Sequence, residues 1–316
     1  MTTGNQFGRR ISLLLSSVDK VLDLSEFRIK FNVQAADVQI PNAAEIRVYN
    51  LSAGTVRQIQ AKGEFSEVTL SAGYSDGNFG VIFSGTIKQY KIGRENATDS
   101  YLDIFASDGD ELYNQGFVNL SQAKGKTPAD LIKALAKNDG VTADLTSVKT
   151  DAQHVPSIRG VVQFGMSRLK YRNLASQLDA GWSIQNGAIQ FTDNTGYRED
   201  EAVAINVLTG LIGVPELTDE GISIQCLLNS RVRIGSRVQL NNKEVAQLVE
   251  RDPTSAPLYY NVRASSIRNS GFLSADGMYR AFAITHDGDS RGNAWYTHLV
   301  CLNVDISAVP DQSVSK

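Results

Sequence analysis

The sequence predicts a mainly β protein with an α+β insert, and three observations carry that expectation. Apolar residues alternate with polar or cationic ones in short runs, most clearly Phe27-Arg28-Ile29-Lys30-Phe31-Asn32-Val33, the period of a half-buried strand. Such runs fill the first and last thirds of the chain. The middle third instead carries two helical patterns followed by a hairpin.

In the first third the strands are expected over Ile11–Leu15, Phe27–Val33, Glu45–Leu51, Val68–Tyr74, Val81–Ile92 and Leu102–Ala106, spaced as in a barrel or sandwich. A short helix opens at Ser52 and runs through Val56 and Ile59 to Gly63. Gly77 and Gly80 mark a hairpin tip, and Gly109 within Asp108-Gly109-Asp110 ends the last of these strands.

After Asn114 the pattern changes. Thr127-Pro128-Ala129-Asp130 is a helix start: Thr127 caps, Pro128 is pre-set for the first helical position, and Asp130 meets the positive end of the dipole. Leu131, Ala134 and Leu135 form its apolar face and Asn138–Gly140 stop it. Val141–Ile158 is polar and weakly patterned, which predicts a strand edge and loop. A second helix over Ser167–Ala180 buries Leu174, Ala175 and Leu178. Trp182 and Ile184 then pair with Ile189 and Phe191 across Asn186-Gly187, a dipeptide that tolerates the positive φ of a tight hairpin turn.

Strands return with Ile222–Cys226, Val232–Leu240 around Gly235, Tyr279–Ile284 and Trp295–Leu302. Asn242–Ser270 reads as an exposed polar loop and Val309–Lys316 as a frayed end. The expected division is 1–114, 115–200 and 201–316, with the third part able to exchange strands with the first.

Composition narrows the function classes. The chain has 316 residues, 42% apolar and 21% charged, enough for two or three cores. A net charge of -3 argues against gripping nucleic-acid phosphates as the main task. Met1–Phe7 is polar, and no run approaches the length of a membrane span, so a soluble chain made in the cytoplasm is expected. Cys226 and Cys301 sit in apolar strand patterns and are expected to be buried, reduced thiols.

Candidate chemistry is sparse. His286-Asp287-Gly288-Asp289, with His298 twelve residues on, is the one cluster with metal-like content, but its glycines favour a hairpin whose aspartates serve the turn. Asp108-Gly109-Asp110-Glu111 lacks the calcium-loop spacing. There is no phosphate-cradling Gly-x-x-x-x-Gly-Lys loop. Trp182 is expected in the core, and of the neighbours Trp295 and Tyr296 one is expected to point inward and the other outward. No catalytic, cofactor-binding or metal-ligating residue is assigned, and no cofactor or small-molecule substrate is expected.

Several stretches together resemble a known family. Glu45-Ile46-Arg47-Val48-Tyr49-Asn50-Leu51-Ser52, Val81-Ile82-Phe83-Ser84-Gly85-Thr86-Ile87 and Ser107-Asp108-Gly109-Asp110 are similar, in this order, to the first half of the baseplate hub proteins of contractile-tailed, Mu-like and related phages. Thr209-Gly210-Leu211-Ile212-Gly213, Cys226-Leu227-Leu228-Asn229 and His286-Asp287-Gly288-Asp289-Ser290-Arg291-Gly292 resemble the second half. The resemblance implies two tube-type β-barrel domains around the insert. It also implies a homotrimer whose pseudo-sixfold ring joins the hexameric tail tube to a central trimeric spike, with other baseplate proteins around it and DNA passing through without specific binding. The protein would be a non-enzymatic part of the virion tail, made in the host cytoplasm and without the extra domains of larger relatives. Exposed strand edges would pair with neighbouring chains. Two other readings compete: a carbohydrate-binding or adhesive module using Trp182, Trp295, Tyr296 and Tyr259-Tyr260, and a hydrolase using the His286 cluster.

Overall fold

The computed structural model describes residues 6–61, 65–148, 150–194, 196–198, 200–218, 221–241 and 277–303. The expected loop over Asn242–Ser270, the expected frayed end and Tyr259-Tyr260 lie outside them. The first part runs β1 (Arg9–Ser16), β2 (Val21–Asp23), β3 (Ile29–Ala36), β4 (Ala43–Tyr49), α1 (Ala53–Gln60), β5 (Glu67–Tyr74), β6 (Phe79–Arg94) and β7 (Ser100–Ser107). The middle part runs α2 (Asp110–Gln115), β8 (Phe117–Gln122), α3 (Pro128–Asn138), β9 (Thr142–Ser147), α4 (Thr150–Gln153), β10 (Val161–Met166), α5 (Ser167–Gln177), β11 (Ala180–Gln185) and β12 (Ala188–Asp193). The last part holds β13 (Val203–Ala204), a 3-10 turn at Val207–Thr209, β14 (Leu211–Thr218), β15 (Gly221–Leu227), β16 (Arg237–Gln239), β17 (Met278–Asp289) and β18 (Trp295–Asn303). The fold is mainly β, as expected.

Strands of the first and last parts share one sheet, in the order β14-β15-β18-β17-β3-β4-β7-β6-β5-β1-β2. The seam is antiparallel pairing of β17 with β3, from Ala283 opposite Ala36 to Asp289 opposite Lys30. The other half of β17 pairs with β16, so one long strand serves both parts. In β3 the alternation expected from the sequence is seen directly: Ile29, Phe31 and Val33 are buried while Lys30 is exposed.

Three apolar clusters underlie these layers. The first gathers Leu13, Phe31, Ile46, Leu70 and Ile104, and it takes in Leu228 and Trp295 from the last part. The second, in the middle part, is built on Ile132, Leu135, Tyr171, Trp182, Ile189 and Phe191. The third joins Ile222, Ile224, Val238, Tyr279 and Cys301, with Ala35 of β3 packed against it. The first and last parts therefore each contribute side chains to the core of the other.

Local signals explain the helices. Thr127 Oγ1 accepts the Asp130 amide at 3.2 Å and the Asp130 carboxylate accepts the Thr127 amide at 3.2 Å, a reciprocal capping box with Pro128 at the first turn. Ser52 caps α1 in the same way, accepting from the Thr55 amide at 3.1 Å. The β11–β12 hairpin has the expected register, Trp182 opposite Phe191 and Ile184 opposite Ile189, with Asn186 and Gly187 at φ 51° and 77°.

Three expectations are corrected. Val141–Ile158 holds the expected edge strand, β9, paired in parallel with β12, but α4 forms where loop was expected. Gly109, at φ 70°, does not only end a strand but leads into α2. Val232 and Ile234 are buried as alternation required, yet the chain turns at Gly235, with φ 84°, and a strand forms only from Arg237.

Candidate assembly surfaces and the junction that sets them

The middle part is held to both strand-rich parts by buried polar contacts. Asn42, in the β3–β4 turn, donates through Nδ2 to the Ile184 carbonyl at 3.0 Å and to Gln185 Oε1 at 2.9 Å. Gln185 answers by donating to the Ala36 carbonyl at 3.0 Å. Asp108 accepts the Gly187 amide at 2.8 Å, which fixes the hairpin turn against the end of β7. On the other side Arg280 of β17, itself buried, donates to the Asp193 carbonyl at 2.7 Å, and Gln190 donates to the Ile234 carbonyl at 3.2 Å. These bonds give the insert a defined seat, because each would leave a buried polar group unsatisfied if it opened.

Two charges at this junction are perturbed. Burial pushes the Asp108 carboxyl up to about 6, against the amides of Gly187 and Asn186 that favour its ionised form, and its Oδ2 has no partner among the described residues. Asp37 is also raised by burial, with Arg280 and Ser183 opposing. A cavity of about 200 Å3 lies where the three parts meet, lined by Asn42, Phe83, Gln190, Val232 and His286 among others. A cleft of about 590 Å3 runs between the first and middle parts past Asp108, Glu111 and Asp139.

The residues singled out from the sequence do not converge. His286 is buried on β17 with its Nδ1 2.9 Å from Thr297 Oγ1, and burial lowers its pKa to about 4. His298 neighbours Thr297 on β18 and points to the opposite, exposed face of the sheet. Asp289 serves the end of the β17–β18 hairpin, accepting from Arg28 and from the Arg291 amide at 3.0 Å. Among the described residues no group of three or more His, Cys, Asp or Glu is placed to hold a metal. Among them, too, no helix is long and apolar enough to cross a membrane. Cys226 and Cys301 are free and buried, and burial pushes the Cys226 thiol up to about 12. Trp182 and Trp295 are each 1% exposed, whereas Tyr296 is half-buried.

The surfaces free for partners lie elsewhere. Both ends of the large sheet are blunted: β2 has three residues, while β14 carries Pro215 and a register shift between Ile212 and Glu216. The expectation that exposed edges pair with neighbours therefore finds little regular backbone at either end. Among the described residues, an exposed apolar face lies on the ribbon formed by β8 and β10, paired from Phe117 opposite Met166 to Gln122 opposite Val161. Its inner side places Val118 in the middle core, and its outer side shows Phe117, Val162 and Phe164 to solvent. Phe117 and Phe164 pack edge to face with centroids 5.2 Å apart. In the sequence Phe117-Val118-Asn119-Leu120-Ser121 signals only the buried side, Val118 and Leu120; the outward apolar face arises when β10 brings Val162 and Phe164 beside Phe117.

Comparison with known proteins places this architecture. No curated protein sequence matches the chain. In solved structures the fold is similar to the 43 kDa tail protein of prophage MuSo2 from Shewanella oneidensis, with TM-score 0.55 and 9% identity over 94% of this chain and 98% of that one. It is also similar to a tail protein from Neisseria meningitidis MC58, with TM-score 0.53 and 9% identity over 94% of this chain and 97% of that one. The family model described as baseplate hub gp41 matches residues 10–245, most of the chain. The chain belongs to the baseplate hub gp41 family and is a structural protein of the phage baseplate.

Proposed function

We propose that the protein is the hub subunit that forms a homotrimeric ring between the hexameric tail tube and the central trimeric spike, with DNA passing through the ring. One observation carries this reading: two strand-rich units of one chain, each with its own apolar cluster, are fused through the β3–β17 seam. Taking residues 1–114 and 201–316 as two tube-type barrels, three chains supply six units, which matches a sixfold tube on one side and a threefold spike on the other. The buried bonds of Asn42, Gln185 and Arg280 support a fixed placing of the 115–200 unit beside them.

The same reading makes the protein a non-enzymatic component of the virion. His286 serves the core, and its neutral ring bonded to Thr297 suits packing rather than proton transfer with a solvent-borne substrate. Carbohydrate binding gains no support from Trp182 or Trp295, because a stacking platform needs an exposed ring face. Electron microscopy of the purified chain with its spike tests the proposal: threefold rings with six lobes support it, and particles lacking threefold symmetry oppose it.

A further inference from the structure

The outer face of the β8–β10 ribbon combines two properties. It is apolar, with Phe117 51%, Val162 70% and Phe164 63% exposed, and Ile158 beyond its end is 92% exposed. It is also basic: residues 117–126 and 154–166 contain Lys124, Lys126 and Arg159 and no Asp or Glu, in a chain whose net charge is -3. Lys124, Lys126 and Arg159 are exposed where the two strands begin and end, and the Gly125 amide donates to the Ser157 carbonyl at 2.8 Å, holding those two segments together.

The complementary surface is on the same chain. Residues 200–218 hold Asp200, Glu201 and Glu216 and no Lys or Arg. Val207 and Leu208 of the 3-10 turn are 71% and 89% exposed and Val214 of β14 is 50% exposed. Glu201 and Glu216 are exposed as well, Glu201 meeting Arg231 at 3.8 Å. Each surface thus couples protruding hydrocarbon to one sign of charge, and the signs are opposite.

We propose that the ribbon face of one chain docks on the Val207–Glu216 face of a second copy, head to tail. Such a contact joins two different patches, so its repetition closes a ring when the rotation fits. It rests on the ring reading above and assigns that ring a contact. Apolar residues would supply the attraction, and the opposed charges would set the register and the encounter rate. Double-stranded DNA would satisfy the cations, but its phosphate backbone has nothing to cover four exposed apolar side chains.

The test compares the full chain with three exposed-charge variants by light scattering across a concentration series, with circular dichroism as the check on folding. K124E/K126E/R159E reverses the ribbon, E201K/E216K reverses the acidic face, and the third variant carries all five changes. Each reversal alone is expected to weaken self-association at least about tenfold, and the five-fold variant to recover it. If the parent chain associates and neither reversal changes its mass, this contact is wrong while the ring reading stands. If the ribbon reversal leaves the mass unchanged but abolishes retention of a double-stranded oligonucleotide, the occupant is nucleic acid and the contact is likewise overturned. A parent chain that stays monomeric at every concentration, with its spike as well, overturns the ring and the contact together.

Discussion

Arg28 and Asp289, 261 positions apart, form a two-pronged ion pair, Nη2 to Oδ2 at 2.6 Å and Nε to Oδ1 at 3.2 Å. The pair sits where β17 ends and β3 begins. Around it Ser290 Oγ accepts the Ile29 amide at 2.9 Å, Arg9 donates to the Asp289 carbonyl at 3.2 Å, and Arg291 donates to the Glu26 carbonyl at 2.9 Å. The β17–β18 hairpin end is thereby stapled to the first part of the chain, beside the core residue Trp295.

Removing the carboxylate, and both prongs with it, should therefore weaken the seam. Asp289→Ala is expected to lower stability by about 1–2 kcal/mol, the lower part of the range for bonds to a charged group because Arg28 is 40% exposed. Burial would raise the Asp289 pKa, but Arg28 and the Arg291 and Gly292 amides outweigh it and leave it lowered. A lowered carboxylate stabilises above its unfolded pKa and stops doing so as pH falls through its folded value, so the variant should match the parent in strong acid. Urea unfolding at pH 7 and pH 3 reads both parts.

His286 and Asp108 should set opposite pH slopes. With a folded pKa of about 4, His286 stays neutral while the unfolded chain protonates near 6.5, so its contribution is lost as pH falls from 6.5 towards 4, by up to about 3 kcal/mol. His286→Gln should abolish that loss while keeping a hydrogen-bonding group near Thr297. The check is the difference in unfolding midpoint between pH 7 and pH 5 for parent and variant.

Asp108 carries the reverse sign. Its folded pKa, raised to about 6, makes the ionised form unfavourable above that pH, and stability recovers as pH falls from 6 towards 4. Asp108→Asn keeps an acceptor for the Gly187 amide and removes the buried charge. It is expected to raise stability at pH 7.5 by about 1 kcal/mol and to give no advantage at pH 4.5. Thermal unfolding at the two pH values reads the change.

Two glycines on either side of the junction should respond differently. A Cβ on Gly109 would fall 2.4 Å from Ile184 Cγ2, and Ile184 is a core side chain with no room to withdraw. A Cβ on Gly187, at φ 77°, would meet nothing within 4 Å. Gly187→Ala should thus cost only the left-handed backbone penalty, about 1 kcal/mol, and Gly109→Ala at least about 2 kcal/mol. Chemical unfolding of both variants distinguishes them.

What the sequence revealed was what its neighbours in sequence enforce. The capping box of Thr127 and Asp130, the Asn186-Gly187 turn and the alternation of β3 are all decided within a few residues, and the structure has each of them. The β3–β17 seam depends on two strands about 250 residues apart, whose patterns fit many partners equally well. β9 showed only as a weakly patterned edge, because it lies at the edge of its sheet and shows polar Thr142 and Thr146 to solvent. The candidate site divided along the same line: the burial of Trp182, Cys226 and Cys301 followed from their apolar surroundings. The ribbon face did not emerge, because its meaning depends on β8 pairing with β10 across α3 and β9.

The most direct measurement is the mass of the purified chain by native mass spectrometry, alone and with its spike. The hub reading predicts a species at three times 34.4 kDa, either free or in the complex. A chain found only at 34.4 kDa, which binds no spike and forms no ring, would contradict it.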